Sequence, residues 1–160
     1  TAVGTAKYSP IGKRGLAGVR ANRYGTLPLD EFVVSANAAT MVVVQIETAG
    51  ALDEVESIAQ VEGCDVLYVG PNDLTSALGI PGKYTDPRYR QALSRVAQTA
   101  RKAGKAAGIM LARTDQIPSL QDMGYSFFTM SDRALLLDSA RLWRAALSQE
   151  SRSEKLRADS

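Results

Sequence analysis

Two short apolar runs in the middle of the chain end in carboxylates. Val42-Val43-Val44-Gln45-Ile46 runs into Glu47, and Val66-Leu67-Tyr68-Val69 passes through Gly70-Pro71-Asn72 into Asp73. Runs of β-branched and apolar residues of this length read as buried parallel strands. Side chains alternate along a strand, so Val43, Gln45 and Glu47 share one face while Val42, Val44 and Ile46 take the other. An amide and a carboxylate therefore leave the end of the first strand together. Asp73 follows a Gly-Pro turn that lets the backbone approach a ligand closely. In barrels and open α/β sheets, the C-terminal strand edge is where ligands bind. Two carboxylates from neighbouring strands with an amide beside them form a hard-oxygen set suited to Mg2+ or Mn2+. The structural alternative is that Glu47 is salt-bridged or caps a helix, and that Asp73 caps a helix beginning near Leu74.

The chain contains no histidine. That excludes a Ser-His-Asp or Cys-His device and any His-ligated zinc within these residues. Acid–base work must fall to a carboxylate, lysine, tyrosine, metal-bound water or a group on another chain. The single cysteine, Cys64, allows no internal disulfide and sits just before a strand, where a small buried filler is expected. With 160 residues the chain suits one domain with a real core. A net charge of +2 gives no argument for nucleic acid or a membrane surface. No apolar run approaches a membrane span and no signal-peptide pattern opens the chain, so a cytoplasmic location is expected.

The elements that must hold the two carboxylates alternate regularly. Within residues 1–29, the stretch 7–25 carries four glycines and five basic residues with little periodicity, which reads as a loop. Glycine beside Lys and Arg suggests an anion cradle, but neither phosphate-loop spacing is present, and a solvated or interface loop is the plainer reading. A short helix is expected over 30–40, then a strand over 41–46. Thr48 caps a helix over 49–60, closed by Gly63. A second strand covers 65–69, with a short helical piece near 74–78. Asp86-Pro87 announces a long helix to about 103, stopped by Gly104. A third strand (106–111), a short helix (115–123, closed by Gly124), a fourth strand (126–130) and an amphipathic helix (135–147) complete the series. Residues 148–160 are charged and small, a polar tail that frays. Four strand–helix repeats make a parallel sheet with helices packed outside it. That is half of an eight-fold barrel; a flavodoxin-like open sheet is the alternative, although no glycine-rich phosphate loop follows the first strand.

Several of these segments resemble the HpcH/HpaI family of class II, metal-dependent pyruvate aldolases. They are Val43-Val44-Gln45-Ile46-Glu47-Thr48, Val61-Glu62-Gly63-Cys64-Asp65, the run from Val69 to Gly79, Ala103-Gly104-Lys105-Ala106-Ala107-Gly108, and the upstream Tyr8-Ser9-Pro10-Ile11-Gly12-Lys13-Arg14-Gly15. The two carboxylates stand 26 positions apart, as the family pattern expects. The resemblance implies a (β/α)8 TIM barrel of about 250 residues, of which residues 1–147 look like the C-terminal half, strands five to eight. The family's catalytic histidine and its substrate-gripping arginine would then belong to the other half, in keeping with the absence of histidine here.

The resemblance also implies site roles. Glu47 and Asp73 would hold Mg2+ or Mn2+, with Co2+ or Zn2+ as alternatives. A 2-oxo acid would chelate the ion through its carboxylate and keto oxygen, and the ion would stabilise the enolate. Gln45 would bond a metal ligand or the substrate. The backbone N–H groups of Asn72 and Asp73 would receive the carboxylate. Met110 would pack against the pyruvate methyl, or else be plain core. The implied reaction is cleavage of a 4-hydroxy-2-oxo acid to pyruvate and an aldehyde. Oxaloacetate decarboxylation or a citramalyl/malyl-CoA lyase-like reaction are alternatives, as is a non-catalytic half-barrel. The expected partners are the small 2-oxo acid and either further copies of the chain or a complementary N-terminal half, with no nucleic acid and no membrane.

Overall fold

The computed structural model describes residues 2–158, with side chains through Leu147. Four strands, β1 (Val43–Ile46), β2 (Val66–Val69), β3 (Ala106–Leu111) and β4 (Tyr125–Met130), form one sheet in the order β1-β2-β3-β4. Every neighbouring pair is parallel. In a doubly wound sheet the strand order reverses and helices cover both faces. Here the order never reverses, so right-handed crossovers stack their helices on one side only. That is the winding of a barrel.

Burial follows from this winding. Ile46, Leu67, Val69, Ala107, Ile109, Leu111 and Tyr125 face the helices and join one core with Leu52, Val55, Leu74, Leu93, Val96 and Leu120. The opposite face carries Val43, Gln45, Tyr68, Gly108, Met110, Phe127 and Thr129, by register and alternation. Val43 and Met110 are 41% and 47% exposed on it. The face that would line a barrel lumen is thus open in this chain. A register shift between Ala107 and Gly108 puts Ser126 out of step on β4. This bulge keeps Phe127 and Thr129 on the open face while Tyr125 and Phe128 pack outward.

The helices follow the sequence expectation with shifts that have local causes. Helix α1 (Ala2–Ala6) and a 3-10 turn (Arg20–Gly25) occupy part of the segment expected to be loop. Asn22, 2% exposed, organises that turn. Its Oδ1 accepts from the N–H groups of Val19 and Gly25, and its Nδ2 donates to Ala17 O. Lys7 does not join the basic loop. It is 7% exposed and its Nζ donates to the carbonyls of Asn37 (2.6 Å) and Thr40. These oxygens belong to the C-terminal end of α2 (Leu29–Ala39), where a cation is favoured by the helix dipole. Pro28 occupies the cap position of α2, and Asp30 and Glu31 lie in its first turn.

The helix expected over 49–60 is two pieces, α3 (Ala49–Asp53) and α4 (Val55–Ala59), parted at Glu54. Ser57 Oγ donates to Glu54 O at 2.9 Å, the kind of side-chain competition that bends helices. Thr48 caps as expected, accepting from Ala51 N at 3.1 Å. Helix α5 runs from Pro71 to Ala77 and so begins three residues before the start expected near 74. Helix α6 (Pro87–Lys102) is capped by Asp86, which accepts from Arg88 N at 2.9 Å. Helix α7 (Ile117–Met123) closes on Gly124 at φ 109°, a conformation that L side chains avoid.

Helix α8 runs from Asp132 to Ala158, so its backbone continues through most of the stretch expected as a polar tail. The side chains of 148–160 lie outside the described residues. The apolar stripe of the expected helix, Leu135, Leu142, Trp143, Ala146 and Leu147, is not buried among the described residues: Leu135, Leu142, Trp143 and Leu147 are 57%, 72%, 70% and 61% exposed. No helix among the described residues is long and apolar enough to cross a membrane.

Candidate active site

The end of β1 places Glu47 beside the end of β2, because Ile46 pairs with Val69 and the next residues are Glu47 and Gly70. A methyl group built on Gly70 would lie 2.5 Å from Glu47 Oε2, 3.2 Å from Glu47 Cβ and 3.3 Å from Gln45 Nε2. Both side chains therefore lean over the Gly70 backbone, as expected for two residues on one strand face. Gly70 has φ −91°, open to any residue, so its lack of a side chain serves space and not backbone shape. Glu47 is half-buried and Gln45 exposed.

Gly70 is also the N-cap of α5, and Asp73 lies in the first turn of that helix. Asp73 is exposed and sits inside the helix, so it is not the cap considered as an alternative. Nor is Glu47 salt-bridged. The ion pairs among the described residues are Asp86–Arg88, Glu56–Arg95, Asp115–Arg113 and Asp138–Arg141. Two carboxylates without counter-cations, set around a glycine that leaves room for one of them, fit a hard divalent ion in their donor chemistry. No cluster of three or more His, Cys, Asp or Glu able to hold a metal forms among the described residues. An ion at the pair would complete its shell with water or with a chelating ligand.

Asn72 is exposed and held from two sides. Its carbonyl accepts from Thr75 Oγ1 at 2.9 Å, and its side-chain Oδ1 accepts from the Tyr84 hydroxyl at 2.5 Å. Met110 is not core in this chain; it stands on the open sheet face beside Thr129 in register. Below it, Tyr68 hydrogen-bonds Thr129 across the sheet. Gly108 permits this, since a Cβ there would lie 2.9 Å from the rings of Tyr68 and Phe127. Tyr84, Tyr68 and Thr129 escaped the sequence reading. Their partners are 12 and 61 positions away, and no spacing rule links residues so placed.

Cys64 is 3% exposed, and burial raises its thiol above the ordinary value. It is the buried filler expected, not a thiolate nucleophile.

Known proteins agree with this architecture. A 4-hydroxy-2-oxovalerate aldolase of Novosphingobium aromaticivorans is 36% identical over 159 residues, covering 92% of this chain and 58% of that protein. A hydroxypyruvate/pyruvate aldolase of Paraburkholderia phytofirmans is 40% identical over 143 residues, covering 89% and 53%. The crystal structure of an HpcH/HpaI aldolase/citrate lyase family protein from Burkholderia cenocepacia superposes with a TM-score of 0.82 at 35% identity, covering 91% of this chain and 58% of that one. The chain thus spans a little over half the length of these relatives, and its four βα units are of the TIM-barrel type. Residues 1–132 match the family described as HpcH/HpaI aldolase/citrate lyase, and the chain belongs to that family.

Proposed function

We propose that Glu47 and Asp73 hold a divalent cation, Mg2+ or Mn2+ by their hard oxygens, at which a 2-oxo acid is bound for carbon–carbon bond cleavage. The reaction is that of a pyruvate aldolase: a 4-hydroxy-2-oxo acid splits into pyruvate and an aldehyde. The observation that carries the reading is the pair of carboxylates without counter-cations among the described residues, Glu47 seated over Gly70 at the end of β1 and Asp73 in the first turn of α5 after β2. A bound cation supplies Lewis acidity to the keto oxygen and lowers the cost of the enolate.

The chain's own residues do the rest. Glu47 and Asp73 supply negative oxygen donors. Gln45 Nε2, beside Glu47 over Gly70, is placed to hydrogen-bond a ligand oxygen or the Glu47 carboxylate. The N–H groups of Asn72 and Asp73 receive the acid's carboxylate. Met110 offers an apolar, polarisable surface to the methyl end of the ligand. No histidine is present to move a proton. The general base and a substrate-binding arginine are assigned to the remaining part of a complete barrel, which would also cover the open sheet face. That face and the exposed side of α8 support association with further copies or with a complementary half. A cytoplasmic location suits the reading. Names borne by the relatives include 4-hydroxy-2-oxovalerate and hydroxypyruvate/pyruvate aldolase, which supports the substrate class and leaves the aldehyde open.

The test uses the intact native polypeptide. It releases pyruvate from 4-hydroxy-2-oxo acids, loses activity in excess EDTA and regains it with Mn2+. Full activity in EDTA, or in Glu47→Gln, would remove the assignment.

A further inference from the structure

We infer that Tyr84 is a positioning residue that sets the polarity of Asn72 and so favours an anionic oxygen at the site; the inference rests on the metal-bound 2-oxo acid proposed above. A carboxamide has an oxygen with two lone pairs and an NH2 with two donors, and either end can turn toward a ligand. In this structure the oxygen is tethered: Tyr84 Oη donates to Asn72 Oδ1 at 2.5 Å. Asn72 is exposed and directly precedes Asp73, and its Nδ2 keeps both donors for a ligand. Turned this way, the amide presents donors that suit a carboxylate or enolate oxygen.

The hold on Asn72 is built into the connector between α5 and α6. Gly79 and Gly82 lie at φ 70° and 72°, which shape residues 79–86 into a compact turn. Thr75, fully buried, joins that turn to the site. Its hydroxyl donates to Asn72 O at 2.9 Å and accepts from Gly82 N at 3.2 Å. Tyr84 itself is anchored by an edge-to-face contact with Tyr89, 6.0 Å between centroids, and Tyr89 is 4% exposed. Asn72 is therefore held at its main-chain carbonyl by Thr75 of α5, itself tied to the connector, and at its side-chain carbonyl by Tyr84 of the connector. A lone surface hydrogen bond would have neither the second tether nor the anchored ring.

The experiment measures binding, not turnover. The intact native polypeptide is loaded with Mn2+, and the Kd values of Mn2+ and of pyruvate are read by electron paramagnetic resonance and water-proton relaxation. Variants are Tyr84→Phe, which keeps the ring on Tyr89, Asn72→Ala, and the two combined. Loss of one oriented hydrogen bond is expected to weaken pyruvate binding about five- to tenfold in Tyr84→Phe. Mn2+ affinity stays within about twofold, since neither change touches a metal ligand in the reading above. The double variant binds pyruvate no worse than Asn72→Ala, because the hydroxyl acts through the amide. Unchanged pyruvate affinity in Tyr84→Phe, or independent effects that multiply, would overturn the inference. A wild-type protein that takes up no Mn2+ would instead overturn the proposed function, and the inference with it.

Discussion

The smallest structural fact with the largest chemical consequence is the missing side chain at Gly70. Its φ of −91° would suit alanine, so nothing in the backbone demands glycine there. The demand comes from Glu47, whose Oε2 occupies the space a methyl would need. Gly70→Ala should leave the fold intact and push the Glu47 carboxylate away. We expect Mn2+ affinity to fall roughly 10- to 100-fold, the range seen when groups that orient metal ligands are lost. Titration by electron paramagnetic resonance, with a thermal melt as control, reads it. A variant with wild-type Mn2+ affinity would mean that Glu47 does not hold the ion. Glu47, Asp73 and Gln45 could be picked out from the sequence, because strand alternation and a Gly-Pro turn are local patterns; Asn72 came only with the family resemblance. Tyr84 could not, since its phenol reaches Asn72 only after the connector has folded back.

Among the elements, the two short helices after β1 are fixed to α6 by a charge pair. Arg95 reaches across to Glu56 with Nη2–Oε2 at 2.6 Å, and also donates to Asp53 O at 3.1 Å. The Arg95 hydrogen bond holds the Glu56 carboxyl down at about 2. A carboxyl whose folded value lies below its unfolded value of 4.5 adds stability above pH 4.5, and that stability disappears as pH falls toward 2. Both side chains are exposed, 40% and 58%, so solvent and salt screen the pair and the effect is small. Melting temperature should therefore decline less steeply between pH 5 and 2 in Glu56→Gln than in the wild type, with the difference shrinking in high salt. Parallel curves would deny the pair a role. Periodicity read this region as one helix from 49 to 60. The bend at Glu54 escaped it because Leu52, Val55 and Ala59 keep facing the core on both sides of the break. A pattern that keeps its phase across a kink carries no mark of the kink.

At the scale of the molecule, one face of the sheet is packed and the other is open. The packed face holds fully buried residues such as Ile46, Leu67 and Val69. Each is worth roughly 1.5–3 kcal/mol in transferred apolar surface. The open face, the two unpaired sheet edges β1 and β4, and the exposed leucines of α8 are what a soluble chain covers by association. The 160-residue chain, 17.1 kDa, is therefore expected to sediment as a larger species. A monodisperse 17.1 kDa particle that binds no hydrophobic dye would show the faces to be tolerated in water.

Sequence alone was enough to establish the α/β alternation, the strand faces, the caps at Thr48 and Asp86 and the family resemblance, because each is written within a few consecutive residues. Tertiary structure was needed to show that the helices α3 to α7 pack on one side of the sheet and that, among the described residues, the stripe of α8 is unburied and Glu47 has no counter-cation. These depend on which segments meet, and contacts between residues tens of positions apart are decided by packing of the whole chain and not by any local pattern.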